Sequence, residues 1–119
     1  MDNLEFAKRL EVRTERFADD VYVLCRALEK VDLVVKEIIS QLVRSAGSVG
    51  SNYIEANESL SRKDFFHRIR ICRKESRESR FWLKRLLILL PEKHTKEVNR
   101  LISESSEFIL IFSKILTKA

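Results

Sequence analysis

The stretch from Arg62 to Leu90 constrains the fold most strongly, because it reads as one long helix without a glycine or a proline. Its apolar and small residues recur at alternating intervals of four and three, which is the spacing of a coiled-coil seam. The seam consists of Phe65, Ile69, Cys72, Ser76, Ser79, Leu83, Leu86 and Leu90. This pattern predicts that the helix packs lengthwise against other helices.

The rest of the chain also favours helices, since 119 residues contain only two glycines and one proline for turns. Apolar periodicity predicts a first helix over about Leu4–Glu29, a second from residue 31 or 32 to a turn at 57–61, and a fourth over about Glu92–Leu116. Four helices with short connections favour an antiparallel up-down-up-down bundle. The predicted fold is therefore an all-α four-helix bundle in which residues 1–119 form a single domain.

Several residues predict where these helices begin, end or approach one another. Asp32 and Ser61 are expected N-caps, and Pro91 is expected to end the third helix because proline disfavours helical geometry in the residue before it. Gly47 and Gly50 lie within the second helix, where each costs about 1 kcal/mol relative to alanine. We expect a continuous helix here that packs closely against the small residues of the third helix.

A second face of the third helix carries a cationic ladder. Residues 62–85 hold ten lysines and arginines against three acids, whereas the whole chain has a net charge of +5. A basic stripe on one helix indicates binding to nucleic acid or to an acidic protein surface, although it can also be a solvated face paired with acids elsewhere. The ladder consists of Arg70, Arg73, Arg77, Arg80 and Lys84.

The second and third helices also carry polar residues at helical spacing, which predict a structural polar network. If the two helices are antiparallel, Arg44 is expected to approach Glu78, and Asn52 to approach Glu75. Such a network fixes the register of two helices when every member is paired. The predicted members are Arg44, Asn52, Glu55, Glu75 and Glu78.

The same three glutamates could alternatively form a metal site in the manner of di-metal bundles. Those sites use Glu-x-x-His pairs, and neither His67 nor His94 follows a glutamate at that interval. The sequence also lacks a GxSxG element, a glycine-rich phosphate loop and an HExxH element. We therefore expect no metal, no cofactor and no enzymatic activity.

The cysteines and the hydropathy predict a cytoplasmic protein. Cys25 and Cys72 both lie on apolar helix faces and lack CxxC spacing, which favours reduced, buried thiols over a metal site or a disulfide framework. The N-terminal residues include acids and no continuous apolar run, so no signal peptide is predicted. No window approaches the ~20 apolar residues of a membrane span, and no membrane partner is expected.

Two segments of the sequence resemble a known family. QLVRSAGSVGSNYIEA and SRKDFFHRIRICRKESRESRFWLKRL are similar to the four helix bundle protein family, also called the 23S rRNA intervening-sequence protein family. The resemblance is close over about residues 30–90. Many relatives have glycine at the position of Ala56 and a Gly-Ser pair at the positions of Lys74 and Glu75, so this chain resembles a separate branch.

The resemblance implies an assembly and possible partners. Relatives form short antiparallel bundles that assemble as homopentamers, and some are encoded within bacterial 23S rRNA genes. A similar bundle, the accessory protein of diversity-generating retroelements, binds nucleic acid and a reverse transcriptase. For this chain we accordingly expect a homo-oligomeric ring of five, with a reverse transcriptase as one conceivable protein partner.

Apolar residues outside the main seams independently predict an oligomer. A monomer that exposed them would carry large apolar patches, which soluble monomers seldom tolerate. These residues are Phe66, Phe81, Leu87, Leu110 and Ile111.

The predicted function combines the ladder with this assembly. We expect a non-enzymatic oligomeric bundle that binds the backbone of RNA or DNA through the ladder, with little sequence preference. The alternative is a protein–protein scaffold whose ladder meets an acidic partner or the acidic first helix of a neighbouring subunit.

Overall fold

The computed structural model of the protein describes residues 2–119, which form four long helices and one short 3-10 helix. The α-helices are α1 (Asn3–Ala27), α2 (Leu33–Asn57), α3 (Arg62–Leu89) and α4 (Thr95–Leu116). No strand occurs within residues 2–119, so the predicted all-α class is confirmed. The predicted fourth helix begins later than expected, because Glu92–His94 adopt the tighter 3-10 geometry after Pro91.

Side chains cap the first three helices at their N-termini. The Asp32 side chain accepts a hydrogen bond from the Val35 amide at 2.9 Å, and the Ser61 hydroxyl accepts one from the Asp64 amide at 3.1 Å. Both predicted caps are therefore confirmed. Asp2, which the sequence did not single out, caps α1 in the same way by accepting a hydrogen bond from the Glu5 amide at 2.7 Å.

The four helices are arranged antiparallel in chain order. Helix α3 packs between α2 and α4, while α1 packs mainly on α2 and only lightly on α4. The bundle measures 46 × 25 × 21 Å, so the helices run nearly its full length. None of the helices in residues 2–119 is both long and apolar enough to cross a membrane.

Aromatic side chains join the helices within the core. The rings of Phe17 on α1 and Phe108 on α4 meet edge to face, with centroids 5.4 Å apart. Tyr53 on α2 and Phe112 on α4 lie 5.9 Å apart. All four side chains are buried, and edge-to-face pairs add to the free energy gained from burying apolar surface. These contacts hold α4 against both α1 and α2.

Small residues let α2 and α3 approach closely. The hydroxyls of Ser45 and Ser79 are 2.9 Å apart and fully buried, so one hydroxyl donates to the other. Further along the seam, the Cys72 thiol donates to the Val49 carbonyl at 3.6 Å. Ser76 donates to the Cys72 carbonyl of its own helix. The polar side chains of this seam therefore have hydrogen-bond partners, and only small side chains separate α2 from α3.

The glycines of α2 serve a different contact from the one that we expected. Helix α2 is continuous through both residues, which confirms that part of the prediction. A Cβ atom at Gly50 would lie 3.4 Å from Thr14 Oγ1, and one at Gly47 would lie 2.5 Å from Tyr22 Oη. Both neighbours belong to α1. The prediction that these glycines pack against α3 is therefore wrong, because they lie on the face of α2 that α1 covers.

Only some of the apolar residues that we expected at a subunit contact are exposed on the protomer. Phe66 is buried in the bundle, where it meets the Phe65 ring edge to face and lies beneath the guanidinium of Arg62. Leu87 and Ile111 are half-buried against the core. Their predicted exposure is wrong because α3 and α4 are each covered over a wider arc than a narrow seam implies. Phe81 and Leu110 are exposed, as expected.

A larger exposed apolar group lies at one end of the bundle, where α2 begins and α3 ends. We call it the apolar end. It consists of Leu33, Val34, Ile88 and Leu89.

Candidate functional site

The ladder divides into two rows that lie side by side on α3. Arg70, Arg77 and Lys84 are exposed, whereas Arg73 and Arg80 are half-buried against α4. Because the ladder residues are spaced alternately by three and four, they form two rows, and the members of each row are seven residues apart. Only the row of Arg70, Arg77 and Lys84 points outward. The five cations extend over about 21 Å of helix.

Hydroxyl groups from α4 contact the inner row of the ladder. Arg80 donates to the Ser106 hydroxyl at 3.2 Å, and Arg73 approaches the Ser113 hydroxyl at 3.5 Å. A hydroxyl satisfies a donor without neutralising its charge. The two guanidinium groups are therefore positioned by α4 while their charge remains uncompensated.

No carboxylate compensates the ladder within residues 2–119. The ion pairs of the bundle use other cations, and none of the five ladder residues has an acidic oxygen within 4.0 Å. Two acids of α4 pair with other cations: Glu104 binds Arg13 of α1 at 2.7 Å, and Glu97 binds Arg100 of its own helix at 2.7 Å. The alternative that the ladder is paired with acids of the same protomer therefore has no support within residues 2–119.

The exposed cationic surface of α3 is longer than the predicted ladder. Lys63, His67 and Lys74 are exposed in line with Arg70, Arg77 and Lys84. Sequence reasoning missed these residues, although they continue the same alternating spacing of four and three. We call the complete set the exposed stripe; its members are Lys63, His67, Arg70, Lys74, Arg77, Phe81, Lys84 and Ile88.

The polar network lies on the opposite side of α3, along its contact with α2. Arg44 donates to Glu78 at 2.7 Å, as the antiparallel alignment predicted. The Trp82 indole also approaches the same Glu78 oxygen at 3.4 Å. This pair is only partly buried, since the Arg44 and Glu78 side chains are 57% and 26% exposed. Ion pairs of that exposure contribute up to about 1 kcal/mol.

Two other members of the predicted network, Asn52 and Glu55, do not pair with its glutamates or arginine. Asn52 accepts a hydrogen bond from Arg68 at 2.9 Å and donates to the Ser48 carbonyl at 2.8 Å. Its predicted contact with Glu75 is absent, because Arg68, two turns nearer the start of α3, binds Asn52 instead. Glu55 is exposed, and no hydrogen bond or ion pair within residues 2–119 involves its carboxylate.

Glu75 has a buried carboxylate, and it is the described residue whose buried polar side-chain atom lacks a hydrogen-bond partner. Its side chain is 5% exposed, and one carboxylate oxygen is buried without a hydrogen-bond partner. Burial raises the pKa of the Glu75 carboxyl above its ordinary value, and the neighbouring Glu78 raises it further. Arg44 and Lys74 oppose this shift. The fold thus favours the protonated form of Glu75.

The remaining candidates are a metal site and the two cysteines. Within residues 2–119 no group of three or more His, Cys, Asp or Glu side chains is placed to hold a metal ion. Cys25 and Cys72 are free thiols, and burial raises their pKa values to about 11 and about 12. Such thiols are protonated and unreactive at neutral pH.

Comparison with known proteins places this arrangement in a family. The family model described as "23S rRNA-intervening sequence protein" matches residues 8–111, a range that includes the ladder and the polar network. The chain belongs to the 23S rRNA-intervening sequence protein family. The resemblance noted from the two sequence segments is thereby confirmed.

One solved structure shows the same fold for a similar protein. It is a crystal structure from Bacteroides thetaiotaomicron VPI-5482, described as a protein with unknown function from the S23 ribosomal protein family. The two chains are 23% identical, the match covers 93% of this chain and 97% of the other, and the TM-score is 0.80. At this identity the likeness shows the fold alone. No curated protein matches the chain.

Glu75 gives the protein a testable pH dependence. Because the folded state raises the pKa of Glu75, folding is favoured while the carboxyl is protonated, and that contribution is lost as pH rises through the raised pKa. We expect Glu75→Gln to increase the free energy of unfolding by about 1–3 kcal/mol at pH 8. The gain should shrink toward zero as pH falls below about 4.5, where glutamate is also neutral.

Denaturant unfolding across this pH range measures the effect, and Glu78→Gln is its matched control. That change also removes one charge, but it weakens the ion pair with Arg44. We expect it to lower stability by up to about 1 kcal/mol at pH 8. A Glu75→Gln variant that is less stable than the wild type at pH 8 would contradict this account of the buried carboxyl.

Proposed function

We propose that this chain is a non-enzymatic helical bundle that binds the phosphate backbone of RNA or DNA through the ladder. The observation that carries the proposal is the absence, within residues 2–119, of any carboxylate beside the five ladder cations. Uncompensated cations in line along a rigid helix attract a linear polyanion and release its counterions on binding.

The chemistry of the ladder suits phosphate. Four of its five members are arginines, whose planar guanidinium can donate two hydrogen bonds to one phosphate. Ser106 and Ser113 engage one nitrogen each of Arg80 and Arg73, which leaves the other donors of these side chains available. Ordering long side chains costs conformational entropy, so partial ordering before binding favours affinity.

Direct titration tests the proposal. A fluorescently labelled pool of mixed-sequence RNA and DNA strands is titrated with the protein at 50 mM salt, and binding is followed by anisotropy. We expect binding that weakens steeply with salt and depends little on sequence. No binding at this salt by a folded protein would overturn the proposal and favour an acidic protein as the ladder's partner.

We also propose that the protein assembles as a homo-oligomer in the cytoplasm, with the ring of five that the family resemblance implies. The apolar end supports this assembly, because it exposes four large apolar residues at the same end of the bundle. The two protonated, unpaired thiols are compatible with a reducing compartment. Identical bundles that meet through different surfaces close into a ring when the rotation permits.

Light scattering after size exclusion tests the assembly. For a protomer of 14.0 kDa we expect a particle of about 70 kDa. Replacing Leu33 and Ile88 by glutamate should reduce this mass, because it places charges within the apolar end. Leu60→Glu is the matched control, since Leu60 is fully exposed in the turn between α2 and α3. A 14 kDa wild-type particle contradicts the oligomer, and any other multiple contradicts the ring of five.

A further inference from the structure

An aromatic side chain interrupts the cations of the exposed stripe. Phe81 is 49% exposed on α3, between Arg77 one turn before it and Lys84 one turn after it. The other two phenylalanines of α3 are covered, since Phe66 is buried and Phe65 is half-buried. Phe81 does not belong to the core of the bundle, so packing of the core does not account for its position.

Two neighbours hold the Phe81 ring in place. The guanidinium of Arg85 lies over the ring, 4.6 Å from its centroid. The Trp82 ring meets Phe81 edge to face, with centroids 4.9 Å apart and an interplanar angle of 83°. Trp82 itself packs against the core, so it anchors the exposed ring. A fixed ring loses little conformational entropy when a flat ligand stacks on it.

An aromatic ring among phosphate-binding cations suits one class of ligand. Bases of a single strand can stack on aromatic side chains while the neighbouring phosphates bind cations. In a duplex the bases are already stacked and paired, so their faces are not available to a side chain on a helix surface. Along the helix axis Arg77 and Lys84 lie about 6 Å and about 4.5 Å from Phe81, which places a cation on each side of the ring.

From this arrangement we infer that Phe81 stacks on an unpaired base, so that the ligand of the ladder is a single-stranded nucleic acid. The inference rests on the proposed function, and it names the form of nucleic acid that the ladder binds. It adds a contact with a base to the phosphate contacts that the ladder predicts. The amino-acid composition did not show that one aromatic ring would be exposed within the exposed stripe.

The experiment compares strands that differ only in their bases. Anisotropy measures the binding of the whole protein to a labelled 20-nucleotide DNA strand of mixed sequence and to an abasic strand of the same length, which retains the phosphates. We expect the wild type to bind the base-bearing strand about 5- to 150-fold more tightly, the range for one stacked base. Phe81→Ala should bring this ratio close to one, and Phe81→Trp should preserve it.

Leu110→Ala is the matched control for loss of exposed apolar surface. Leu110 is 66% exposed on α4, between Ser106 and Ser113, which contact the ladder. We expect this variant to retain the wild-type ratio of affinities, because a leucine offers no aromatic face. Retention of the ratio together with its loss in Phe81→Ala would support stacking on the ring.

The possible failures are distinguishable. If the wild type binds both strands equally, the stacking inference is overturned while phosphate binding by the ladder stands. If neither strand binds, the proposed function fails and the inference fails with it. If Phe81→Ala lowers the particle mass in light scattering and weakens both strands equally, Phe81 is a subunit contact, and the inference is overturned.

Discussion

Replacing Arg70, Arg77 and Lys84 by glutamine should weaken binding to a 20-nucleotide single strand by about 10²- to 10³-fold at 50 mM salt. These three residues form the exposed row of the ladder. Each lost phosphate contact removes about 0.7 from the slope of log affinity against log salt for a single strand. The variant should therefore show a slope that is shallower by about 2.

Anisotropy titrations at several salt concentrations measure both quantities. The matched control replaces Arg16, Lys36 and Lys96 by glutamine, which removes the same charge from exposed positions on α1, α2 and α4. We expect the control to change the affinity much less, because its cations lie outside the ladder. Equal losses in the two variants would show that net charge, and not the ladder, determines binding.

Ser79→Leu should destabilise the fold by about 2–4 kcal/mol, from overpacking and a lost hydrogen bond. Ser79 is fully buried where α2 and α3 are closest, and its hydroxyl lies 2.9 Å from that of Ser45. A leucine would force the two helices apart along a seam whose neighbours are also small. Because these helices have the largest interface in the bundle, the strain should affect the whole fold.

Thermal and denaturant unfolding measure this loss, with a decrease in melting temperature of about 10 °C expected. Ser103→Leu is the matched control, since it makes the same change at an exposed position of α4. Its stability should stay within about 0.5 kcal/mol of the wild type. A Ser79→Leu protein as stable as this control would contradict the close packing of α2 and α3.

Much of the fold follows from the sequence because helix signals are local. Side-chain caps at Asp32 and Ser61 and the stop before Pro91 depend only on nearby residues. Which neighbour covers each face depends on the packing of the whole bundle. Gly47 and Gly50 therefore mark a close approach correctly, but sequence spacing could not show that α1 makes it.

The candidate site, like the fold, was predictable in part from the sequence. Helical spacing identified the ladder, and antiparallel alignment identified the contact of Arg44 with Glu78. Spacing did not separate the outward row of the ladder from the inner row, because that distinction depends on where α4 lies. The predicted contact of Asn52 with Glu75 was out of register. When Arg44 lies beside Glu78, antiparallel alignment places Asn52 near the Arg68 end of the helix, so Arg68 binds Asn52 and Glu75 is left unpaired.

Lysine protection provides the most direct test of the central claim that the ladder binds nucleic acid. The protein is acetylated with and without a saturating 20-nucleotide strand, and mass spectrometry gives the modification of each lysine. We expect the strand to protect Lys84, with Lys74 beside it, while Lys36 and Lys96 are modified equally in both samples. All four are exposed in the protomer. Protection of Lys36 or Lys96 while Lys84 reacts freely would contradict the account.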